Sequence, residues 1–209
     1  MWSTKDLASI VIMAVLGFVS TALVAQMAGL ITGIPGANYI FTIILAIVTS
    51  FSFLLYEGRR WRFFVQMAIF GLLVTPTYLG GPPFQPIKVN FAITAVIADA
   101  VVNSYYATFS KREKLKWWAI LSALVYWTML PFIGSLLNPL FFPPEYVRLF
   151  INAVLFLTPV IVVEAIAGGY LGYRIYCRVK PVDSAHPVTH PSLDSPGLPG
   201  NAARRPRKR

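Results

Sequence analysis

Long apolar runs, each closed by a short polar or glycine–proline interruption, dominate the chain. Six of them approach the roughly 20 residues that a helix needs to cross a bilayer. They are Leu7–Ile31, Tyr39–Tyr56, Phe63–Leu79, Val89–Phe109, Trp117–Leu137 and Val147–Tyr170, the second and third being near the short limit. The breaks are strong punctuators: Gly33-Ile34-Pro35-Gly36, Glu57-Gly58-Arg59-Arg60, Gly80-Gly81-Pro82-Pro83, Ser110 to Lys114, and Asn138-Pro139 through Pro143-Pro144. The pattern predicts an all-α integral membrane protein, a six-transmembrane-helix bundle over residues 1–180. Lys5 precedes the first run as it would precede a secretory signal. That run is longer than a signal's apolar region of roughly 7–15 residues, so it reads as a retained first helix. The segment 181–209 is rich in Pro, Ser and Gly and ends in Arg204-Arg205-Pro206-Arg207-Lys208-Arg209. It has no apolar face to bury and reads as a disordered cytoplasmic tail. His186 and His190 lie in it, each followed by proline. Proline denies them the shared helical face on which two histidines four apart bind metal, so no metal site is expected.

Charge orients the bundle. Sixteen of the 18 Lys and Arg fall at one set of helix ends. These are Lys5; Arg59, Arg60 and Arg62; Lys111, Arg112, Lys114 and Lys116; Arg174, Arg178 and Lys180; and the five in the tail. Lys88 and Arg148 fall at the other. Lysine and arginine concentrate in cytoplasmic loops, which places both termini in the cytoplasm and the chain in the cell membrane as a multi-pass protein. The net charge of +10 is then a topology signal with an added attraction to anionic lipid headgroups, and nucleic acid is not an expected partner. Charged residues make up 12% of the chain and hydrophobic ones 56%, against about 25% charged in soluble domains. Trp2, Trp61, Trp117 and Trp118 sit at the cytoplasmic ends, where amphipathic rings suit the headgroup layer. Cys177 is the single cysteine, so no intrachain disulfide forms.

Two acids interrupt the apolar runs: Asp99 near the centre of the fourth and Glu164 in the cytoplasmic half of the sixth. A charge there costs about 2.5–3.5 kcal/mol on insertion scales and is usually paired, buried or functional. Asp99 is expected to face the interior and link its helix to a neighbour, with Asp99→Asn folding almost normally. Both acids could instead serve a stand-alone proton- or cation-coupled carrier. Small residues recur every four positions in the first run (Gly17, Thr21, Ala25, Gly29), and as Ala165/Gly169 and Gly168/Gly172 in the sixth. Such stripes let helix backbones approach, within the bundle for the sixth helix and within it or against another membrane protein for the first. Polar and aromatic residues gather at the outer ends: Tyr78, Gln85, Asn90, Trp127, Asn138, Glu145 and Asn152. An outward-facing small-molecule pocket, mainly apolar with a few polar groups, would draw on them. No phosphate-binding loop, His-Glu-x-x-His or Gly-x-Ser-x-Gly is present, so the chain reads as a non-enzyme without a cofactor.

Three segments resemble substrate-binding S components of energy-coupling factor (ECF) transporters. They are Ser3-Thr4-Lys5-Asp6-Leu7-Ala8 running into Met13-Ala14-Val15-Leu16-Gly17; Ala98-Asp99-Ala100 after a Pro/Gly-rich outer loop; and Ala167-Gly168-Gly169-Tyr170-Leu171-Gly172-Tyr173-Arg174 before a basic tail. The likeness covers about residues 3–180. It implies a six-helix subunit that captures a micronutrient, a water-soluble vitamin or precursor, on the outer side. Such a subunit works with a transmembrane T component and two cytoplasmic ATPases. It also implies that small residues of the first helix, here Ala14, Gly17, Thr21 and Ala25, contact the T component, although Phe18 interrupts the pattern. The proton-coupled carrier and a structural membrane scaffold are the competing readings.

Overall fold

The computed structural model describes residues 2–25, 31, 39, 41–79, 82–111 and 114–179. Ser3 opens the first helix. Its hydroxyl accepts from the Asp6 N–H (3.1 Å) while the Asp6 carboxylate accepts from the Ser3 N–H (3.0 Å), a reciprocal cap that satisfies two orphan donors. Helix α1 (Thr4–Ser20) then widens into a π turn, Thr21–Ala25. There follow α2 (Thr42–Tyr56), α3 (Arg62–Val74), a 3₁₀ turn (Pro86–Val89), α4 (Asn90–Lys111), α5 (Leu115–Leu137), a second 3₁₀ turn (Asn138–Leu140) and α6 (Pro144–Val179). The described residues contain no strand. Four stretches are long and apolar enough to cross a membrane: Thr4–Leu23, Pro86–Lys111, Leu115–Leu140 and Pro144–Val179. The second and third expected spans form shorter helices of 15 and 13 residues. At 1.5 Å per residue these reach about 22 and 20 Å, less than a hydrocarbon core of about 30 Å. Gly29 of the first small-residue stripe and the tail 181–209 lie outside the described residues.

The α2–α3 connection shows why both helices stop. Glu57 turns left-handed (φ 50°), Gly58 follows at φ 72°, and Trp61 enters α3 at φ 70°. Only glycine fits at 58: besides its φ, a Cβ there would lie 2.3 Å from the Tyr106 ring.

Contacts set the order of the bundle. Helices α1 and α3 run parallel, since Asp6 meets Arg62 and Gly17 lies on Phe70. Helices α2 and α6 also run parallel, with Thr42 beside Glu164 and Ser50 beside Gly172. The start of α1, the α2–α3 turn, the α4–α5 connection and the end of α6 therefore share one end, here the basic end. Asp6 clasps it together, accepting from Arg59 (3.1 Å) and Arg62 (2.8 Å), and the Arg62 guanidinium lies over the Trp2 ring.

Glycines seat α6 in a cleft. A Cβ on Gly168 would fall 2.6 Å from both the Ala46 Cβ and the Ile43 carbonyl oxygen. One on Gly169 would fall 2.7 Å from the Ile120 Cα. Gly168 and Gly172 thus face α2 and Gly169 faces α5, so the sixth-helix stripe is packing within the bundle. Aromatic rings fill the centre: Phe53 on Phe63 (4.3 Å), Phe63 edge-on to Tyr126 (5.0 Å) and Tyr126 to Trp127 (5.2 Å). Trp118 belongs to this core, contrary to its expected headgroup position. It is fully buried and donates its indole N–H to the Val102 carbonyl (3.0 Å). Trp2, Trp61 and Trp117 remain exposed.

Candidate functional site

Two buried charges, Asp99 and Lys88, close helix ends. The first N–H groups of a helix have no partner within it. At the start of α3, the Trp61 N–H donates to Asp99 Oδ1 (3.1 Å) and the Phe64 N–H to Oδ2 (3.0 Å). The Asn103 amide also donates to Oδ1. Asp99 is 1% exposed. At the other end of α3, Lys88 Nζ donates to the carbonyls of Val74 (3.0 Å), Thr75 (3.1 Å) and Thr77. The helix macrodipole favours an anion at its start and a cation at its end, and α3 has both. Asp99 follows Lys88 by eleven positions, about 16 Å of helix, close to the roughly 15 Å between Phe64 and Val74, which they cap. Glu164 treats α2 the same way, its Oε2 accepting from both the N–H (2.8 Å) and the hydroxyl of Thr42, the first residue of that helix.

The expected outer pocket residues divide. Asn90, Trp127 and Asn138 are buried. Asn90 donates to the Leu130 carbonyl (3.0 Å) and accepts from the Thr94 hydroxyl (3.0 Å), and Trp127 donates to the Thr49 hydroxyl (3.1 Å). The backbone carbonyl of Asn138 receives the Phe141 and Phe142 N–H groups. Tyr78 and Glu145 are exposed, while Gln85 is half-buried with its Oε1 enclosed and unpartnered among the described residues. Asn152 is exposed and borders an open groove of about 390 Å³ at the start of α6, opposite the basic end. Pro139, Phe142, Pro144, Val147 and Ile151 form its apolar lining, with Arg148 beside Asn152. The seven residues are therefore not gathered around this groove. Arg148 belongs to the polar residues that the sequence places on the outer side but is not one of the seven expected pocket residues. Its signal is the spacing of Arg148 and Asn152 four apart on a helix, next to Val147 and Ile151 with the same spacing.

The first-helix stripe turns inward. Ala14, Gly17 and Thr21 are buried, Gly17 against Phe70 and Val48. Ala25 ends the π turn. The three buried residues are covered by the chain itself. The outward face of α1 is made of large apolar residues, among them Val11, Ile12, Val15 and Leu16.

Comparison of the chain with protein-family models, with characterised proteins and with solved structures finds no match.

Proposed function

We propose that this chain is an integral membrane binding subunit, with six helices and both termini in the cytoplasm, that captures a small molecule on the outer side. It passes the molecule on with energy supplied by partner proteins, as the S component of an ECF-type importer of vitamins or their precursors does with its T component and ATPases. The observation that carries this reading over a stand-alone proton- or cation-coupled carrier is the engagement of both membrane acids. Asp99 and Glu164 each accept hydrogen bonds from the start of a neighbouring helix, and a carrier would need such a group free to load and unload. The groove at the start of α6 lies at the end away from the bulk of the basic residues. In this reading four helices span the bilayer outright, while α2 and α3 cross it with the help of their flanking turns.

Orientation and energy source give the test. In a Cys177→Ser background, a cysteine at position 111 is expected to react with a membrane-impermeant maleimide only after the cells are permeabilised. Native mass measurement of the detergent-purified protein is expected to show a retained small molecule. Uptake of that molecule should stop when ATP is depleted and persist when the proton gradient is collapsed at constant ATP. Labelling in intact cells would reverse the topology, and uptake that follows the proton gradient alone would establish the carrier.

A further inference from the structure

We infer that the groove at the start of α6 takes a small organic anion, a carboxylate on a compact apolar or aromatic body. This rests on the binding-subunit reading above and names the class of ligand. Polar side chains in the bundle interior are mostly engaged with one another or with the backbone, as Asn90, Asp99 and Lys88 show. Arg148 and Asn152 differ. Both are exposed, and neither makes a hydrogen bond or ion pair among the described residues. Of the two cations that the sequence places at this end, Lys88 is buried against three carbonyls, which leaves Arg148. Glu145 lies one turn earlier on the same helix and forms no ion pair with it.

The chemistry of the lining then selects the ligand. A guanidinium presents a planar fork of donors that matches a carboxylate bidentately. The Asn152 amide, one turn along and about 6 Å away in rise, can donate to a second polar substituent. Val147 and Ile151 run beside this pair as an apolar ridge, which Pro144 continues one turn earlier on the same helix, and Pro139 and Phe142 complete the lining. Phe142 is itself stacked on Tyr146, with centroids 4.4 Å apart, which gives the wall a fixed aromatic edge. The volume of about 390 Å³ falls in the range of small-molecule sites, roughly 300–1,000 Å³. A phospholipid headgroup could also meet Arg148, and the experiment separates the two sources.

The test uses the full-length protein in phosphatidylcholine nanodiscs, with 2-naphthoate and its neutral isostere 2-naphthamide as probes in equilibrium dialysis. The acid is expected to bind at least about tenfold more tightly than the amide, which corresponds to about 1.4 kcal/mol. Arg148→Gln should remove that preference and leave thermal stability unchanged, since the side chain has no partner to lose among the described residues; Arg148→Lys should keep part of the preference. Equal binding of acid and amide, or a preference that survives Arg148→Gln, overturns the inference. So does native mass detection of an anionic phospholipid that the wild type retains and Arg148→Gln loses. A neutral or cationic small molecule retained from cells overturns the anion class while leaving the binding-subunit reading intact, which the energy source of uptake decides separately.

Discussion

Asp99→Ala is expected to destabilise the bundle by about 2–4 kcal/mol, read as a lowered unfolding midpoint in detergent. The substitution leaves the Trp61 and Phe64 N–H groups and the Asn103 amide without their acceptor. Each buried group stripped of a partner costs about 1–3 kcal/mol. A cavity of about 110 Å³ bordered by Arg60, Trp61, Asp99, Ala100 and Ser104 lets water recover part of the loss, which keeps the total below the sum. The geometry also revises the expectation for Asp99→Asn. All three partners are donors and both carboxylate oxygens accept, so an amide must turn its NH₂ toward a donor whichever way it flips. Asp99→Asn should therefore cost nearly as much as Asp99→Ala rather than fold almost normally. Lys88→Met should act at the other end of the same helix and lower stability by less, because the Val74 and Thr75 carbonyls keep the Thr77 and Phe84 N–H groups and the Thr77 carbonyl is the one that loses its donor. Stability of Asp99→Asn within measurement error of the wild type would show that the helix cap contributes nothing.

Gly168→Val and Gly169→Val are expected to break the seat of α6, singly by about 3 kcal/mol or more and together by about 6 kcal/mol or more, a large share of the roughly 5–15 kcal/mol that holds a typical domain, so that the double variant accumulates poorly as folded protein. Overpacking of a fitted contact usually costs about 1–3 kcal/mol. These sites sit above that range because the obstacle is backbone. The Ile43 carbonyl lies 2.6 Å from the first added carbon and the Ile120 Cα 2.7 Å from the second. Neither can rotate aside as a side chain end can, so α6 must leave α2 or α5. Gly17→Ala provides the contrast. Its added carbon would meet the Phe70 ring at 3.6 Å, an ordinary contact, and the variant should fold with little change. Thermal unfolding of the three variants checks the order; wild-type stability of Gly168→Val would mean that α2 and α6 are not pressed together there.

The apolar runs and their breaks were enough to read helices, their approximate order and the gathering of basic residues at one end, because each of these depends on a segment's own residues and their preference for lipid or water. The sixth-helix glycines were legible for the same reason: a small residue every fourth position marks a close helix contact whatever the partner. Which partner was not legible, nor was the inward turn of Ala14, Gly17 and Thr21, because a stripe specifies a face and not what covers it. Trp118 likewise sits at the end of an apolar run in sequence and in the core in space. That Asp99 faces inward and ties its helix to a neighbour was legible; that Asp99, Lys88 and Glu164 cap helix ends lay furthest from the sequence. Each answers the unpaired backbone groups of another helix, and Thr42 and Glu164 stand 122 residues apart. An unpaired N–H or carbonyl at a helix end has no residue type of its own, so only the tertiary structure, by bringing a remote charge against it, decided that these three side chains hold two short helices in place.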